Sequence, residues 1–218
     1  MRIVAVSVGR PQIIVRDGKQ FSSAINRRTV EGPIEATAVG LIGDRVSDDR
    51  HHGGPDRAMC CYPREHYPFW QDRLGRELPL PSFGENLTTE GLVESETCVG
   101  DVLQIGDVMV QVSQPRQPCF KLAAKHGNAA LPAWITELGY TGFYVRVLRP
   151  GLIAPGAAVA LIDRRHPDWT VARMMQVIHG DRSDPRALEA LLEIDELSAS
   201  WRKLIRRRLG LVEGVNDD

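Results

Sequence analysis

Residues 102–119 read VLQIGDVMVQVSQPRQPC, and they predict a β-hairpin that leads into a loop. Two β-rich runs, Val102–Ile105 and Val108–Val112, are joined by Gly106-Asp107. A two-residue connection that begins with glycine is typical of a tight β-hairpin. A segment with two prolines follows and ends at Cys119. Because proline fixes its own φ angle, we expect a preset loop at the exit of the second strand.

Short β-rich runs with turn residues between them occupy the first three quarters of the chain. Helical interruptions are predicted near residues 64–74 and 131–138, with Pro68 limiting the first of these to one or two turns. Many short strands at this spacing favour a closed or strongly curved sheet, since closure removes exposed edges. The sequence therefore predicts a mainly β, barrel-like domain over residues 1–163. Besides the hairpin, its strands are expected at Ile3–Val8, Ile13–Val15, Ala36–Leu41, Gly142–Leu148 and Ala157–Ile162.

After Asp163 the apolar period changes from two residues to 3.6, which indicates helices. Pro185 suits the first position of the second helix, after Ser183 or Asp184 as N-cap, and Gly210 suits the end of the third. Residues 168–213 are therefore predicted to form a small domain of three short helices. Their apolar stripes are Val171, Met174, Met175 and Ile178; Ala187, Leu188, Leu191 and Leu192; and Trp201, Leu204, Ile205 and Leu209.

The composition is that of a soluble globular chain. Its 218 residues include 27 Lys and Arg against 28 Asp and Glu, for a formal net charge of −1. Such a balance gives no bulk field for nucleic acid or anionic lipid. No apolar stretch approaches the ~18–20 residues that span a bilayer. The four scattered cysteines suggest reduced thiols, so we expect a cytoplasmic protein that contacts neither membrane nor nucleic acid.

The first candidate for chemistry is Cys119, which lies between Arg116 and Lys121. Nearby cations favour the thiolate form of a cysteine. A free cysteine is often only a small buried hydrophobe, but its place after two prolines favours a nucleophile or a ligand for a soft metal.

The second candidate is the loop that contains Gly53 and Gly54, with Arg45, His52 and Arg57 near it in sequence. Backbone N–H groups that a ligand can approach, together with guanidinium groups, suit an oxyanion or a phosphate. The spacing is not that of a Walker A loop. A zinc site formed by the adjacent pairs His51-His52 and Cys60-Cys61 is a weaker alternative, because its ligands lack the usual separations.

The third candidate is the turn of residues 83–88, which contains Glu85 and Asn86. An asparagine amide offers donors and an acceptor for the edge of a heterocycle, and Glu85 could relay a proton. Simple turn formation explains the same residues.

Together these motifs resemble one family. They are His51–Ala58, Tyr62–Tyr67, Gly84–Leu87, Gly100-Asp101 and Gln114–Cys119, and they occur in one order. They resemble the MOSC domain (molybdenum cofactor sulfurase C-terminal) and, more closely, its YiiM-like branch with an appended three-helix tail. The resemblance implies a barrel-like fold, a bound molybdenum cofactor and a thiolate ligand to molybdenum from Cys119. It also implies a cofactor-binding set of Arg27, Arg45, His52, Gly53, Gly54, Arg57, Asn86 and Arg116.

The resemblance further implies a molybdenum-dependent oxidoreductase that reduces N-hydroxylated compounds, such as 6-N-hydroxylaminopurine, to amines. Cys119, Glu85 and His52 would be the catalytic residues, with Glu85 or His52 as proton donor. An external electron-donor reductase is implied because the sequence shows no flavin, haem or iron–sulfur motif, and a homodimer is left open. Two alternatives remain: a cofactor or sulfur carrier that uses Cys119 without turnover, and a DNA-binding protein that uses the basic run of residues 202–208.

Overall fold

The computed structural model describes residues 1–16, 18–47, 53–180 and 184–211. The helices are α1 (Tyr67–Leu74), α2 (Phe120–His126), α3 (Leu131–Leu138), α4 (Val171–His179), α5 (Pro185–Leu192) and α6 (Ala199–Arg208), with short 3₁₀ turns at Pro55–Arg57 and Arg64–His66. The strands are β1 (Arg2–Val8), β2 (Gln12–Arg16), β3 (Lys19–Ser23), β4 (Arg28–Thr29), β5 (Ile34–Thr37), β6 (Gly40–Leu41), β7 (Met59–Pro63), β8 (Leu87–Glu90), β9 (Val102–Ile105), β10 (Val108–Pro115), β11 (Phe143–Arg149), β12 (Gly151–Ile153) and β13 (Val159–Asp163).

The main sheet curls towards closure. Its eight strands run in the order β13-β9-β10-β11-β7-β8-β1-β4, and only the β7–β8 pair is parallel. Hydrogen bonds join the two ends of this order: the Ile3 amide donates to the Ala157 carbonyl at 2.9 Å, and the Val159 amide donates to the Met1 carbonyl at 3.0 Å. The predicted mainly β, barrel-like architecture is confirmed.

The hairpin of residues 102–119 forms as predicted, with Val108 opposite Ile105 and Gly106 at a φ of 56°. The strand continues to Pro115, and Cys119 is the residue that precedes the first turn of α2. The single strand expected at Ala36–Leu41 is wrong. It is two short strands, β5 and β6, that pair with each other as a hairpin, with Gly40 at a φ of 123°.

Helix α1 begins later than predicted. Its Pro68 lies in the first turn, where a backbone N–H has no helical partner, so the ring is accommodated without loss of a hydrogen bond. The sequence also gave no indication of α2, which follows Cys119 directly.

The tail forms the three predicted helices. Thr170, Asp184 and Ser198 cap α4, α5 and α6, each accepting a hydrogen bond from a backbone amide of the first turn. Such caps stabilise a helix by about 1 kcal/mol each. The apolar faces of these helices, including fully buried Met174 and Trp201, join the same core as the barrel residues Val110 and Val112. The division at residues 163–168 stays a prediction, because this core is continuous across it.

The first turn of α6 contacts the barrel directly. The Ala199 amide donates to Asp56 Oδ2 at 3.2 Å, and Arg57 Nη2 donates to Ser200 Oγ at 2.9 Å. Ser200 Oγ in turn donates to Gln114 Oε1 at 3.0 Å. The tail therefore packs against the 3₁₀ turn that follows the Gly53-Gly54 pair.

In the described part of the chain, no helix has the length and apolar character needed to cross a membrane.

Candidate functional site

A cavity of about 350 Å³ opens between the curled sheet, the β5–β6 hairpin and the start of α2. This volume lies within the range of small-molecule sites, about 300–1,000 Å³. The cavity brings together most of the predicted site residues, which come from distant parts of the sequence. Its lining includes Arg27, Arg45, Gly53, Gly54, Arg57, Asn86, Arg116 and Cys119.

Strand register builds one side of the cavity. Tyr144 on β11 pairs with Cys60 on β7 and with Gln114 on β10. Paired residues on adjacent strands place their side chains on the same face of a sheet. Asn86 lies next to Cys60, and its backbone N–H donates to the Cys60 carbonyl at 2.8 Å. Asn86, Cys60 and Tyr144 line the cavity, and Gln114 lies beside them on β10. We call these four residues the floor row.

Two consecutive carbonyls orient two arginines beside the floor row. Arg27 Nη1 donates to the Gly84 carbonyl at 2.7 Å, and Arg116 Nη2 donates to the Phe83 carbonyl at 2.6 Å. Gly84 has a φ of 74°, and a Cβ there would lie 2.7 Å from Ile25 Cγ1. Glycine adopts this conformation without steric cost, so Gly84 helps to position the two carbonyls that hold the arginines.

Arg27 is neutralised by Asp44. Its Nε and Nη2 donate to the two carboxylate oxygens of Asp44 at 3.1 and 2.9 Å, and the two side chains are 10% and 8% exposed. Asp44 also accepts from the Gly9 amide at 2.7 Å and from Asn86 Nδ2 at 2.9 Å. This bidentate pair is a fixed part of the cavity wall.

Arg116 is buried in the cavity wall. It is 6% exposed, and its side chain donates a hydrogen bond to the Phe83 carbonyl. The charge of Glu85 acts on it, but no ion pair joins Arg116 to an acidic side chain of the described residues. A buried charge that lacks a partner is costly, and Arg116 lines an open cavity. An anion bound there would compensate this charge.

The wider lining is strongly cationic. Among the described residues it carries five basic side chains and one acidic side chain, Asp44; the basic ones are Arg27, Arg45, Arg57, Arg116 and Lys121. Arg45 is exposed, and Lys121 is held by a 3.0 Å hydrogen bond from its Nζ to Ser47 Oγ. Gly54, with a φ of 95°, leaves open space where a side chain would stand. The lining therefore suits a phosphate or another oxyanion.

Two thiols line the cavity in different settings. Cys119 is half-buried, whereas Cys60 is fully enclosed in β7. Burial raises the pKa of the Cys60 thiol, with the nearby arginines acting in the opposite direction. Cys60 therefore stays neutral, and Cys119 is the thiol that a soft metal could reach.

Glu85 does not line the cavity. Its Oε1 accepts from the Tyr67 hydroxyl and, at 3.1 Å, from Thr88 Oγ1, while its Oε2 accepts from the Phe83 amide at 3.0 Å. Burial and the negative charge of Glu85 raise the pKa of Tyr67 far above its usual range, so Tyr67 remains a donor. Glu85 is 0% exposed, and it holds the turn of residues 83–86.

Asn86 lines the cavity, but its side-chain amide already forms hydrogen bonds within the protein. Its Oδ1 accepts from the Cys60 amide at 3.1 Å, and its Nδ2 donates to the Ser7 carbonyl at 3.2 Å and to Asp44. These bonds use both amide hydrogens, so Asn86 joins β1, β7 and Asp44.

His51 and His52, and with them the predicted role of His52, lie outside the described residues.

Sequence reasoning missed Tyr144. The residue lies within the predicted strand of residues 142–148, but only the pairing of β11 with β7 and β10 shows that its side chain faces the cavity. Burial raises the pKa of Tyr144 to about 12. Tyr144 is therefore a neutral phenol at pH 7.

The described lining offers one accessible thiol and several cations, which suits a metal held within an organic, phosphate-bearing group. Within the described ranges, no group of three His, Cys, Asp or Glu side chains is placed to hold a metal ion. A metal here would take a single thiolate from Cys119 and its other ligands from an organic group. The cationic lining suits the phosphate of such a group.

Comparison with known proteins decides the family. Residues 48–160 match the MOSC domain, and residues 169–210 match the YiiM-like, 3-alpha helix domain. The chain belongs to the MOSC family. Its YiiM-like tail places it in the YiiM branch, as the sequence motifs suggested. MOSC domains are associated in general with binding of the molybdenum cofactor.

The similarity of this MOSC protein to its relatives covers most of the chain. YflK of Bacillus subtilis (strain 168) is 41% identical over 200 residues, covering 92% of this chain and 90% of YflK. The crystal structure of YiiM from Geobacillus stearothermophilus superposes with a TM-score of 0.82 at 36% identity, covering 95% of this chain and 98% of that one. A protein named "Reductase" from Gibberella moniliformis (strain M3125 / FGSC 7600) is 34% identical over 184 residues, which are 83% of this chain and 32% of that protein.

Proposed function

We propose that this protein is a molybdenum-cofactor-dependent reductase that converts N-hydroxylated compounds to amines. The observation that carries the proposal is the cavity itself, where half-buried Cys119 and the buried guanidinium of Arg116, which forms no ion pair with the described residues, share one cationic lining. A thiolate is a suitable ligand for a soft metal. A buried cation without a carboxylate partner suits the phosphate of the cofactor.

The overall reaction is R–NHOH + 2e⁻ + 2H⁺ → R–NH₂ + H₂O. The bound cofactor supplies two-electron redox chemistry. The protein supplies the thiolate of Cys119, a cationic site for the phosphate from Arg116, Arg57, Arg45 and Lys121, and a fixed wall from the Arg27–Asp44 pair. Gly53 and Gly54 offer backbone approach to the same anion.

Electrons come from a separate protein in this proposal. In the Gibberella moniliformis "Reductase" the matched unit is 32% of the length, so most of that protein lies outside the unit. For the present chain we propose an electron-donor reductase acting in trans on a small N-hydroxylated substrate.

The first residue of the basic run on α6 has a structural role. Arg202 donates to the Leu192 carbonyl at 2.6 Å and to the Leu197 carbonyl at 3.2 Å, and it also contacts the Ile194 carbonyl. These bonds join Arg202 to the end of α5 and to the α5–α6 connection, so this residue stabilises the tail. That nucleic acid is not a partner stays a prediction.

Metal analysis tests the proposal. The wild-type protein, purified from a host that makes the cofactor, should contain molybdenum, and Cys119→Ala should reduce the metal content at least ten-fold. Cys98→Ala is the control: Cys98 is a free cysteine whose Sγ donates to the Pro167 carbonyl, away from the cavity. Its metal content should equal that of the wild type. Absence of molybdenum from the wild type would refute the proposal.

An activity assay separates the reductase from a carrier. The loaded protein, supplied with dithionite, should convert 6-N-hydroxylaminopurine to adenine, and the product is followed by chromatography. Molybdenum bound through Cys119 without any conversion of a panel of hydroxylamines would instead identify a cofactor carrier.

A further inference from the structure

Tyr144 occupies the middle of the floor row, between Cys60 on one neighbouring strand and Gln114 on the other. It lines the same cavity as Cys119 and Arg116. The two other members of the row that carry amides are already engaged: Asn86 with Ser7, Cys60 and Asp44, and Gln114 with Arg57 and Ser200. Their amide groups serve the fold, which leaves Tyr144 as the polar group of the row that is available to a ligand.

The phenol of Tyr144 makes no hydrogen bond to the described residues, although its carbonyl accepts one from Ser113 Oγ at 3.1 Å. The charged and titratable groups that act on it are Cys60, Arg116, Arg27 and Arg57. A guanidinium group has no acceptor atom and a thiol is a weak one. The hydroxyl hydrogen of Tyr144 therefore lacks a good acceptor in this part of the protein, and an oxygen atom placed in the cavity would provide one.

The other predicted proton donor with a described position is not placed for this task. Glu85 lies behind the wall, with both carboxylate oxygens engaged by Tyr67, Thr88 and the Phe83 amide. The Tyr144 hydroxyl, by contrast, belongs to a residue that lines the cavity, where it can donate a hydrogen bond to a departing oxygen.

We propose that Tyr144 is a catalytic residue that donates a hydrogen bond to the hydroxyl oxygen of the N-hydroxylated substrate. This inference rests on the proposed function. In the reaction the N–O bond breaks, two electrons arrive from the external reductant, the nitrogen gains one proton and the oxygen leaves as water with the other. Tyr144 assists the departure of the oxygen, and solvent at the cavity mouth returns any proton that it gives up.

The test compares Tyr144→Phe with Tyr140→Phe. Both changes remove one hydroxyl, but Tyr140 stacks on His66 at 3.9 Å between ring centroids and does not line the cavity. Loss of one hydrogen bond at the reacting oxygen corresponds to a fall in kcat of roughly 10- to 100-fold. We expect this fall in Tyr144→Phe with molybdenum content and melting temperature unchanged, and wild-type kcat in Tyr140→Phe.

A binding measurement provides a readout that does not depend on turnover. By calorimetry, the unreduced wild-type protein should prefer 6-N-hydroxylaminopurine to adenine, and Tyr144→Phe should reduce this preference at least five-fold. The proposal is overturned by a kcat within two-fold of wild type with an unchanged preference, or by loss of molybdenum from the variant, which would make Tyr144 a cofactor contact. If the wild type reduces no hydroxylamine, the proposed function fails, and the binding preference still decides the role of Tyr144.

Discussion

The two sides of the cavity use the same residue type in opposite ways. Arg27 and Arg116 both line the cavity, and both are oriented by carbonyls of the Phe83-Gly84 turn. Arg27 meets the carboxylate of Asp44, whereas no described acidic residue pairs with Arg116. A buried ion pair is internally compensated, while a buried lone charge is costly and favours an anionic ligand. We therefore expect Arg27 to stabilise the folded protein and Arg116 to bind the anionic ligand.

The largest expected effect is the loss of stability in Arg27→Gln. The change leaves the Asp44 carboxylate buried and without its partner, which costs about 3 kcal/mol. For a chain of this size that corresponds to a melting temperature lower by roughly 6–12 °C. Urea denaturation should give the free energy of unfolding.

The double variant Arg27→Gln/Asp44→Asn is the control for this prediction. It removes the stranded charge and should recover a large part of the lost stability. A single variant as stable as the wild type would show that the two sides of the cavity do not differ as described.

The next effect concerns Arg116→Gln. This change should weaken binding of inorganic phosphate by roughly 10- to 100-fold, because a charge-assisted hydrogen bond contributes about 1.5–3 kcal/mol. Stability should change less than in Arg27→Gln, since the variant breaks no ion pair of the described residues. Calorimetric titration measures the affinity, and exposed Arg45, changed to Gln, is the matched control with a two- to three-fold effect. An equal loss in both variants would remove the distinction between buried and exposed cations.

The smallest expected effect is a pH dependence of the free energy of unfolding, caused by His126 near Arg116. His126 stacks on Phe83, the residue whose carbonyl holds Arg116; its Nε2 lies 2.9 Å from the Ser82 carbonyl, and its Nδ1 lies 2.9 Å from Arg76 Nη2. Burial lowers the pKa of His126 from 6.5 to about 4, assisted by the nearby charges of Lys125 and Arg76. The neutral ring therefore donates from Nε2 and accepts at Nδ1.

Between pH 6.5 and 4 the unfolded chain binds a proton that the folded chain does not, so the free energy of unfolding falls as the pH is lowered through this window. For a partly exposed ring the expected loss is about 1–2 kcal/mol after solvent screening. Urea denaturation at pH 7 and pH 5 should show this loss in the wild type and a smaller one in His126→Gln. Equal losses in the two proteins, or a ring that titrates near pH 6.5 by NMR, would contradict the assignment.

Periodicity predicted much of this fold. Alternation and turn residues located the β9–β10 hairpin and most strands of the main sheet, and the 3.6-residue period located α4, α5 and α6. The β5–β6 hairpin was missed because Thr37 to Gly40 continues an apolar run while Gly40 adopts a positive φ. Helix α2 was missed because its seven residues are too few to show a period.

The site was predicted as a set of residue types and motifs, and the structure brings most of those residues to one cavity. Their individual tasks could not be read from the sequence. Whether Asn86 is free or engaged depends on Ser7 and Asp44, about 80 and 40 positions away. The side of the sheet on which the Tyr144 side chain lies depends on strand register. The exclusion of Glu85 from the cavity depends on the path of the backbone at Gly84.

The contact between the first turn of α6 and the 3₁₀ turn of residues 55–57 has a consequence for protein engineering. Asp56 joins Arg146 on the barrel and the Ala199 amide on the tail, and Arg57 joins the cavity lining to Ser200. A chimera that exchanges the three-helix tail between relatives would thus also exchange the support of a binding arginine. Residues 56, 57, 199 and 200 form one module, and they should be transplanted together.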